Sequence, residues 1–136
     1  MKNFGLALCL ILCLVACESR RIASAIQAEL TETGKVDLEQ AAPGKWDRVC
    51  ILGPYSTDED AAWLVGAPWS LRGNSSAWDS DGVSALLFVR GQTVLSSVDV
   101  SRAHGDFSRQ SDTCFPREKA RFVRLPGSKT LIAAAD

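Results

Sequence analysis

The sequence lacks three features that commonly indicate a function: several histidines, an excess of charge of one sign, and a long apolar run. It contains one histidine, its 15 lysines and arginines nearly balance its 16 acidic residues, and it has no long apolar run. A nucleic-acid-binding protein needs a strongly basic face, so the balanced charge argues against nucleic acid as a partner. A bilayer-spanning helix needs about 20 apolar residues, and the uncharged N-terminal stretch from Phe4 to Ala16 is shorter.

The N-terminus carries the most informative motif. Lys2 is soon followed by that uncharged stretch, which leads into Leu14 to Cys17 (Leu-Val-Ala-Cys). A positive start, an apolar core of about 7–15 residues and small residues before a cut are typical of a secretory signal peptide. With cysteine at its end, the segment resembles the lipobox of bacterial lipoproteins. The resemblance covers residues 1–17 and implies that residues 1–16 are removed, leaving Cys17 with a diacylglyceryl group at the start of a mature domain, residues 17–136.

The resemblance also implies where the protein works. A lipobox implies attachment to a membrane and a domain that faces the periplasm. Glu18, rather than an aspartate, follows the modified cysteine. This is similar to outer-membrane sorting in the enterobacterial pattern, so we expect the outer membrane. The first expected partner is therefore the lipid bilayer, reached through acylated Cys17.

Cysteine is scarce in the rest of the chain. Only Cys50 and Cys114 follow Cys17. An exported protein folds in an oxidising compartment, so we expect these two to form a disulfide. Two separate buried thiols are the alternative. Two cysteines and His104 cannot supply the four soft ligands of a zinc site, so we expect no metal and no cofactor.

Two segments have helical patterns. Apolar residues recur every four positions at Ile22, Ile26 and Leu30, which predicts a helix over residues 19–32. A second, short helix is predicted before Gly66. Its start is marked by Ser56 and, three residues later, by an acidic residue at position 59, a spacing typical of a capping box.

Most of the remaining chain alternates between β-rich runs and turns. Two runs meet at Gly91, a strong hairpin signal. The predicted strands cover residues 46–52, 83–90, 93–100, 120–125 and 130–134, and residues 101–118 are predicted to form a polar loop. We therefore expect an α+β fold, a small single domain with an antiparallel sheet of about five strands, one or two helices on one face and one disulfide.

Four tryptophans lie between residues 46 and 78. Trp46 opens a predicted strand and Trp63 belongs to a predicted helix, so both are expected in the core. Trp69 and Trp78 lie in a segment rich in glycine, serine and asparagine, where a large apolar group has less to pack against. They either anchor a recognition surface or fold back as a lid over the core.

Charge is distributed unevenly along the sequence. Residues 58–81 are acidic, whereas residues 102–129 carry seven basic residues against three acids. The two regions either neutralise each other within the fold or present one face to an oppositely charged partner. The candidate partner-binding residues are therefore Trp69, Trp78, Asp79, Asp81, Arg102 and Arg109.

His104 is the natural candidate for a general base near neutral pH. It shares a loop with Arg102, Asp106 and Arg109, and a histidine near a carboxylate can take up a proton while arginine stabilises an anion. No nucleophile motif accompanies these residues, however, and solvated loop charge is the favoured interpretation. We therefore expect a protein that is not an enzyme.

These features together predict a membrane-anchored, non-enzymatic interaction module of the bacterial envelope, with an envelope protein as its partner. In size and plan the chain is similar to small, disulfide-containing lipoproteins that serve as inhibitors, immunity proteins or assembly accessories, lysozyme inhibitors among them. The alternative is therefore an inhibitor or immunity protein against a periplasmic hydrolase. A second alternative is a small hydrolase that uses His104.

Overall fold

The chain folds around a four-stranded antiparallel sheet with helices on both of its faces. The computed structural model describes residues 4–135, with side chains from residue 9 onward. The helices are α1 (Phe4–Thr33), α2 (Leu38–Ala41) and α3 (Asp58–Val65). The strands are β1 (Lys35–Asp37), β2 (Arg48–Leu52), β3 (Val83–Arg90), β4 (Thr93–Ser101), β5 (Thr113–Pro116), β6 (Arg121–Arg124) and β7 (Leu131–Ala133). Two 3₁₀ turns cover Ser108–Gln110 and Arg117–Lys119.

The strands form two antiparallel sheets. The central sheet has the order β4-β3-β2-β5, and a smaller sheet has the order β1-β6-β7. The predicted α+β class, the antiparallel pairing and the single disulfide are confirmed. The described residues form seven strands rather than about five, because β1 and β5 are too short to show a pattern in the sequence.

The central sheet is buried on both faces, as the alternation along β2 shows. Val49 and Ile51 contribute to one core cluster, together with α1 and α2. Cys50 and Leu52 contribute to a second cluster, together with α3 and the segment 67–82. The prediction of helices on one face therefore describes α1 and α2, and α3 lies on the other face.

Helix α1 has two halves that differ in burial. Ile22, Ile26 and Leu30 are buried, as the period of four predicts, and the helix ends where Gly34 adopts a φ of 67°. The residues before Cys17 extend the helix beyond the predicted start at residue 19. The large apolar side chains from Leu10 to Val15 are exposed, from 50% at Val15 to 65% at Leu14. Among the described residues, no helix combines the length and apolar content needed to cross a bilayer.

The predicted disulfide is formed, but its setting differs from the prediction. Cys114 lies in β5, where it pairs directly with Cys50 of β2. The segment 101–118 is thus wrongly predicted as a loop, since it contains β5, the first 3₁₀ turn and the start of the second. The pairing partner, rather than any alternation in Thr113–Pro116, holds this edge strand in the sheet.

Helix α3 begins one residue later than its sequence pattern suggests. The capping box joins Thr57 and Asp60: the Asp60 N–H donates to the Thr57 hydroxyl at 3.1 Å, and the Thr57 N–H donates to the Asp60 carboxylate at 2.8 Å. The predicted box starting at Ser56 is therefore wrong. The buried Ser56 hydroxyl instead donates to the Gly53 carbonyl at 2.7 Å. The predicted stop at Gly66 is confirmed by its φ of 85°.

Candidate functional site

The side of the central sheet that carries α3 presents aromatic side chains next to carboxylates. Tyr55 is 62% exposed and Trp63 is 78% exposed, and every other aromatic side chain within residues 9–135 is buried or half-buried. Trp69 and Trp78 are half-buried and pack their inner sides on the core. We define the aromatic–acidic face as Tyr55, Asp58, Glu59, Trp63, Trp69 and Trp78.

Two open clefts of about 410 Å³ each lie on this face. Asp58 and Glu59, in the first turn of α3, line both clefts and form the ridge between them. The first cleft is further lined by Tyr55, Ser56, Thr57, Arg72 and Trp78. The second is further lined by Ala62, Pro68, Trp69 and Ser70. Each predicted recognition tryptophan in the segment 67–82 therefore lines one cleft.

The segment that holds these two tryptophans is fixed at several points. The Arg72 N–H donates to Asp58 Oδ1 at 2.9 Å, and its guanidinium lies 4.3 Å from the centre of the Trp78 ring. Such a cation–π contact adds about 0.5–1 kcal/mol at an exposed site. Ser76 donates to Asp99 of β4 through its N–H and its hydroxyl. The clefts are thus preformed by contacts within the chain.

Tyr55 is held in a backbone conformation that a bulky residue rarely adopts. Its φ is 60°, and its N–H donates to the Ala77 carbonyl at 2.6 Å. For a residue other than glycine this region costs roughly 1–2 kcal/mol, and strain of this kind concentrates at functional sites. The surrounding contacts therefore fix the backbone that carries this exposed phenol ring.

The prediction that Trp63 belongs to the core is wrong. Helix α3 turns Ala61 and Val65 toward the sheet, and Trp63, midway between them, faces solvent. Small residues on the inner side bring the helix close to the sheet and leave the larger ring outside. Trp46 is 3% exposed, as predicted, and its indole N–H donates to the Ala42 carbonyl at 2.7 Å.

The four charged candidates do not join Trp69 and Trp78 at the clefts. Asp79 and Asp81 are exposed, and neither lines a cleft. Arg102 donates to the Asp81 carbonyl at 3.0 Å, which ties this arginine to the start of β3. Arg109 lies exposed in the 3₁₀ turn Ser108–Gln110. Glu59 belongs to the acidic region 58–81 that the sequence indicates, whereas Tyr55 and Trp63 are not among the candidates predicted from the sequence.

His104 is not paired with a carboxylate. Asp106 instead binds Arg102 at 2.9 Å, and within residues 9–135 no hydrogen bond joins the His104 imidazole to an acidic side chain. Burial raises the pKa of Asp106. Hydrogen bonds from Ser108 and the interaction with Arg102 outweigh that effect and leave this pKa below its ordinary value of 3.8. The Asp106 carboxylate therefore serves to hold this loop in place.

Comparison of the chain with protein-family models, curated proteins and solved structures gives no match. The aromatic–acidic face is therefore interpreted from its own residues.

Proposed function

We propose that the protein is a lipid-anchored module of the bacterial envelope that binds a protein partner through the aromatic–acidic face. The observation that carries the proposal is the exposure of Tyr55 and Trp63 beside the carboxylates of α3. Tyrosine and tryptophan dominate the residues that contribute most to protein–protein affinity. A large aromatic surface left in water is unfavourable unless a partner covers it.

The acidic first turn of α3 defines the chemistry of that partner. Asp58, Glu59 and Asp60 occupy successive positions, and Glu59 makes no side-chain hydrogen bond to another described residue. Charge complementarity accelerates encounter and excludes partners of the same sign. The partner surface is therefore basic, with apolar pockets that receive the two exposed rings.

Burial along α1 supports the proposed anchor. The apolar residues from Leu10 to Val15 are at least 50% exposed, whereas Ile22 is 1% exposed. Residues 9–16, the described side chains of the segment that the lipobox would remove, therefore contribute nothing to the domain core. In a lipid-anchored protein, two or three acyl chains make release from the bilayer negligible, at about 0.8 kcal/mol per buried methylene.

The anchor is tested by metabolic labelling with a radioactive fatty acid. We expect the parent protein to take up label and Cys17→Ser to remain unlabelled, as an unprocessed precursor or in the wrong compartment. Cys13→Ser is the matched control and should label like the parent. An unlabelled parent, or a labelled Cys17→Ser variant, would refute lipidation.

The binding face is tested by crosslinking in intact envelopes followed by purification of the protein. We expect one partner in stoichiometric amount, and we expect Tyr55→Ala with Trp63→Ala to weaken its binding by at least about 30-fold, the effect of losing about 2 kcal/mol at an interface. Both side chains are exposed, so the fold should persist by circular dichroism.

Two further variants separate this proposal from the other candidates. Arg109→Ala removes an exposed side chain outside the clefts and should bind like the parent. His104→Ala should also leave function intact. If His104→Ala abolishes function while the double aromatic variant binds normally, the protein is a hydrolase and the binding proposal is wrong.

A second candidate function is inhibition of a periplasmic hydrolase. The fixed position of Tyr55 favours it, because a preordered loop enters a cleft without paying the entropy of ordering. The hydrolytic activity of the captured partner should then fall on addition of the protein and recover with Tyr55→Ala. A partner without hydrolytic activity would exclude inhibition, and binding would be the remaining function.

A further inference from the structure

Very little chain separates the proposed lipid from the folded core. Ile22 is buried at 1% exposure, and only residues 18–21 lie between it and Cys17. These residues are helical, so the two Cα positions differ by about 7.5 Å along the helix axis. A helical segment also resists bending, in contrast to a glycine- and serine-rich tether. A lipid on Cys17 would therefore hold one particular end of the domain next to the bilayer.

Three segments form that end, and we define them as the anchor edge: residues 17–21, 43–48 and 90–95. Cys17 and Arg21 share a depression with Pro43, which places the second segment beside the anchor. The third segment is the β3–β4 hairpin turn, and Val94 to Ser97 line a groove with residues 11–19 of α1. The second and third segments are joined by hydrogen bonds: the Gly91 N–H donates to Asp47, and Arg48 donates to the Gly91 carbonyl, both at 2.7 Å.

The anchor edge is more basic than the rest of the protein. It contains five cationic side chains and two acidic ones, in a chain whose net charge is −1. The cationic side chains are Arg20, Arg21, Lys45, Arg48 and Arg90, and the acidic ones are Glu18 and Asp47. A basic surface next to an anionic bilayer gains about 1 kcal/mol for each charge.

An exposed leucine completes the edge. Leu95 follows the hairpin turn and is 42% exposed, in the groove lined by α1 residues 11–19 and by Trp69. Residues 11–16 belong to the segment that processing would remove. Their removal would uncover the apolar side of this groove, which Ala16 lines directly before Cys17 in the chain.

We infer that the anchor edge lies directly on the bilayer surface, with Leu95 at the level of the headgroups and the exposed side chains of Arg20, Arg21, Lys45 and Arg90 among anionic phosphates. Arg48 is half-buried and stays bound to backbone carbonyls within the domain. This inference rests on the proposed lipid anchor. It adds a fixed orientation to that anchor, because the helix connects Cys17 to the core without a flexible tether. Ser128 lies in the turn just before Thr130 and Leu131, and Leu131 and Leu30 of α1 both lie against Gly105. Leu30 is about 20 Å along the helix from Cys17, so the end of the domain that carries Ser128 faces away from the membrane.

The test uses the acylated protein purified from membranes and reconstituted in vesicles of phosphatidylethanolamine and phosphatidylglycerol. An environment-sensitive fluorophore is attached to Leu95→Cys, and in a matched variant to Ser128→Cys, since Cys50 and Cys114 are bonded to each other. Lipids with a quencher near the headgroup should quench the label at position 95 at least about threefold more than the label at 128. Thr93→Cys, also exposed on the same turn, repeats the measurement with a different side chain replaced.

Mass spectrometry before labelling separates the two proposals. An unmodified Cys17 would refute the anchor itself. An acylated protein whose labels at 93 and 95 are quenched no more than the label at 128 would refute the orientation. Replacing Lys45 and Arg90 by glutamine should reduce quenching at position 95 about twofold in these anionic vesicles. Unchanged quenching would refute the electrostatic contribution.

Discussion

We expect removal of the Cys50–Cys114 disulfide to lower the free energy of unfolding by about 4 kcal/mol. The bonded residues are 64 positions apart, and closing a loop of this length removes that amount of chain entropy from the unfolded state. Small domains have a total stability of about 5–15 kcal/mol. The bond therefore accounts for a large part of what keeps this domain folded.

The disulfide stabilises the edge strand β5 more than any other part of the fold. Strand β5 is at the edge of the central sheet and pairs only with β2, over four residue pairs. Apart from the disulfide, its main side-chain anchor is Phe115, which packs edge-to-face on Phe122 with ring centres 5.0 Å apart. Without the bond, β5 should exchange its amide hydrogens faster than β2 and β3 do.

Thermal unfolding followed by circular dichroism provides the measurement. The double variant Cys50→Ala with Cys114→Ala should unfold roughly 15 °C below the parent, given an unfolding entropy of about 2.1 cal/mol/K for each of some 120 residues. The parent under reducing conditions is the control and should match the double variant. A decrease of only a few degrees in both would show that the unfolded chain is already restricted, and the entropy argument would fail.

Three further predictions concern individual residues. The lowered pKa of Asp106 stabilises the fold at pH values above the ordinary pKa of 3.8, and this stability is lost as the pH falls through the lower folded value. Asp106→Asn should therefore be less stable than the parent at pH 7, measured by urea unfolding, and the difference should shrink as the pH is lowered below 3.8. In the same assay, Thr57→Ala should lower the free energy of unfolding by about 1 kcal/mol, and Glu59→Ala by about a few tenths of a kcal/mol. A larger loss for Glu59→Ala than for Thr57→Ala would contradict the capping box. Gly105→Ala should lower the free energy of unfolding by about 1–3 kcal/mol, because the added methyl would lie 2.8 Å from methyl groups of two buried leucines. His104→Ala, at the neighbouring position, should lower it by at most about 0.5 kcal/mol. Equal losses in the two variants would contradict the tight packing at Gly105.

The hairpin shows what the sequence predicts well. The predicted strands 83–90 and 93–100 agree with β3 and β4 to within one residue, and Gly91 occupies the turn with a φ of 61°. Both strands are long, and the turn between them needs a residue that tolerates positive φ. Local chemistry alone therefore determines this element.

The sequence-based predictions are wrong where the structure of a segment depends on contacts with residues far away in the sequence. Strands β1 and β5 have three and four residues, and each exists because another strand accepts its hydrogen bonds. The size and apolar character of Trp63 predict a core position, yet its place on α3 is set by the inward packing of Ala61 and Val65. A helix of eight residues gives too short a pattern to show which side faces inward.

The charged surfaces also depend on tertiary contacts that the sequence does not show. In the sequence, Arg20 and Arg21 are only a pair of charges beside the proposed anchor. Folding brings Lys45, from the loop before β2, and Arg90, from the end of β3, to the same edge. The carboxylates of α3 collect separately around the two clefts. A net charge of −1 therefore conceals two surfaces of opposite sign: the basic one lies at the proposed membrane anchor, and the acidic one at the proposed binding face for a protein partner.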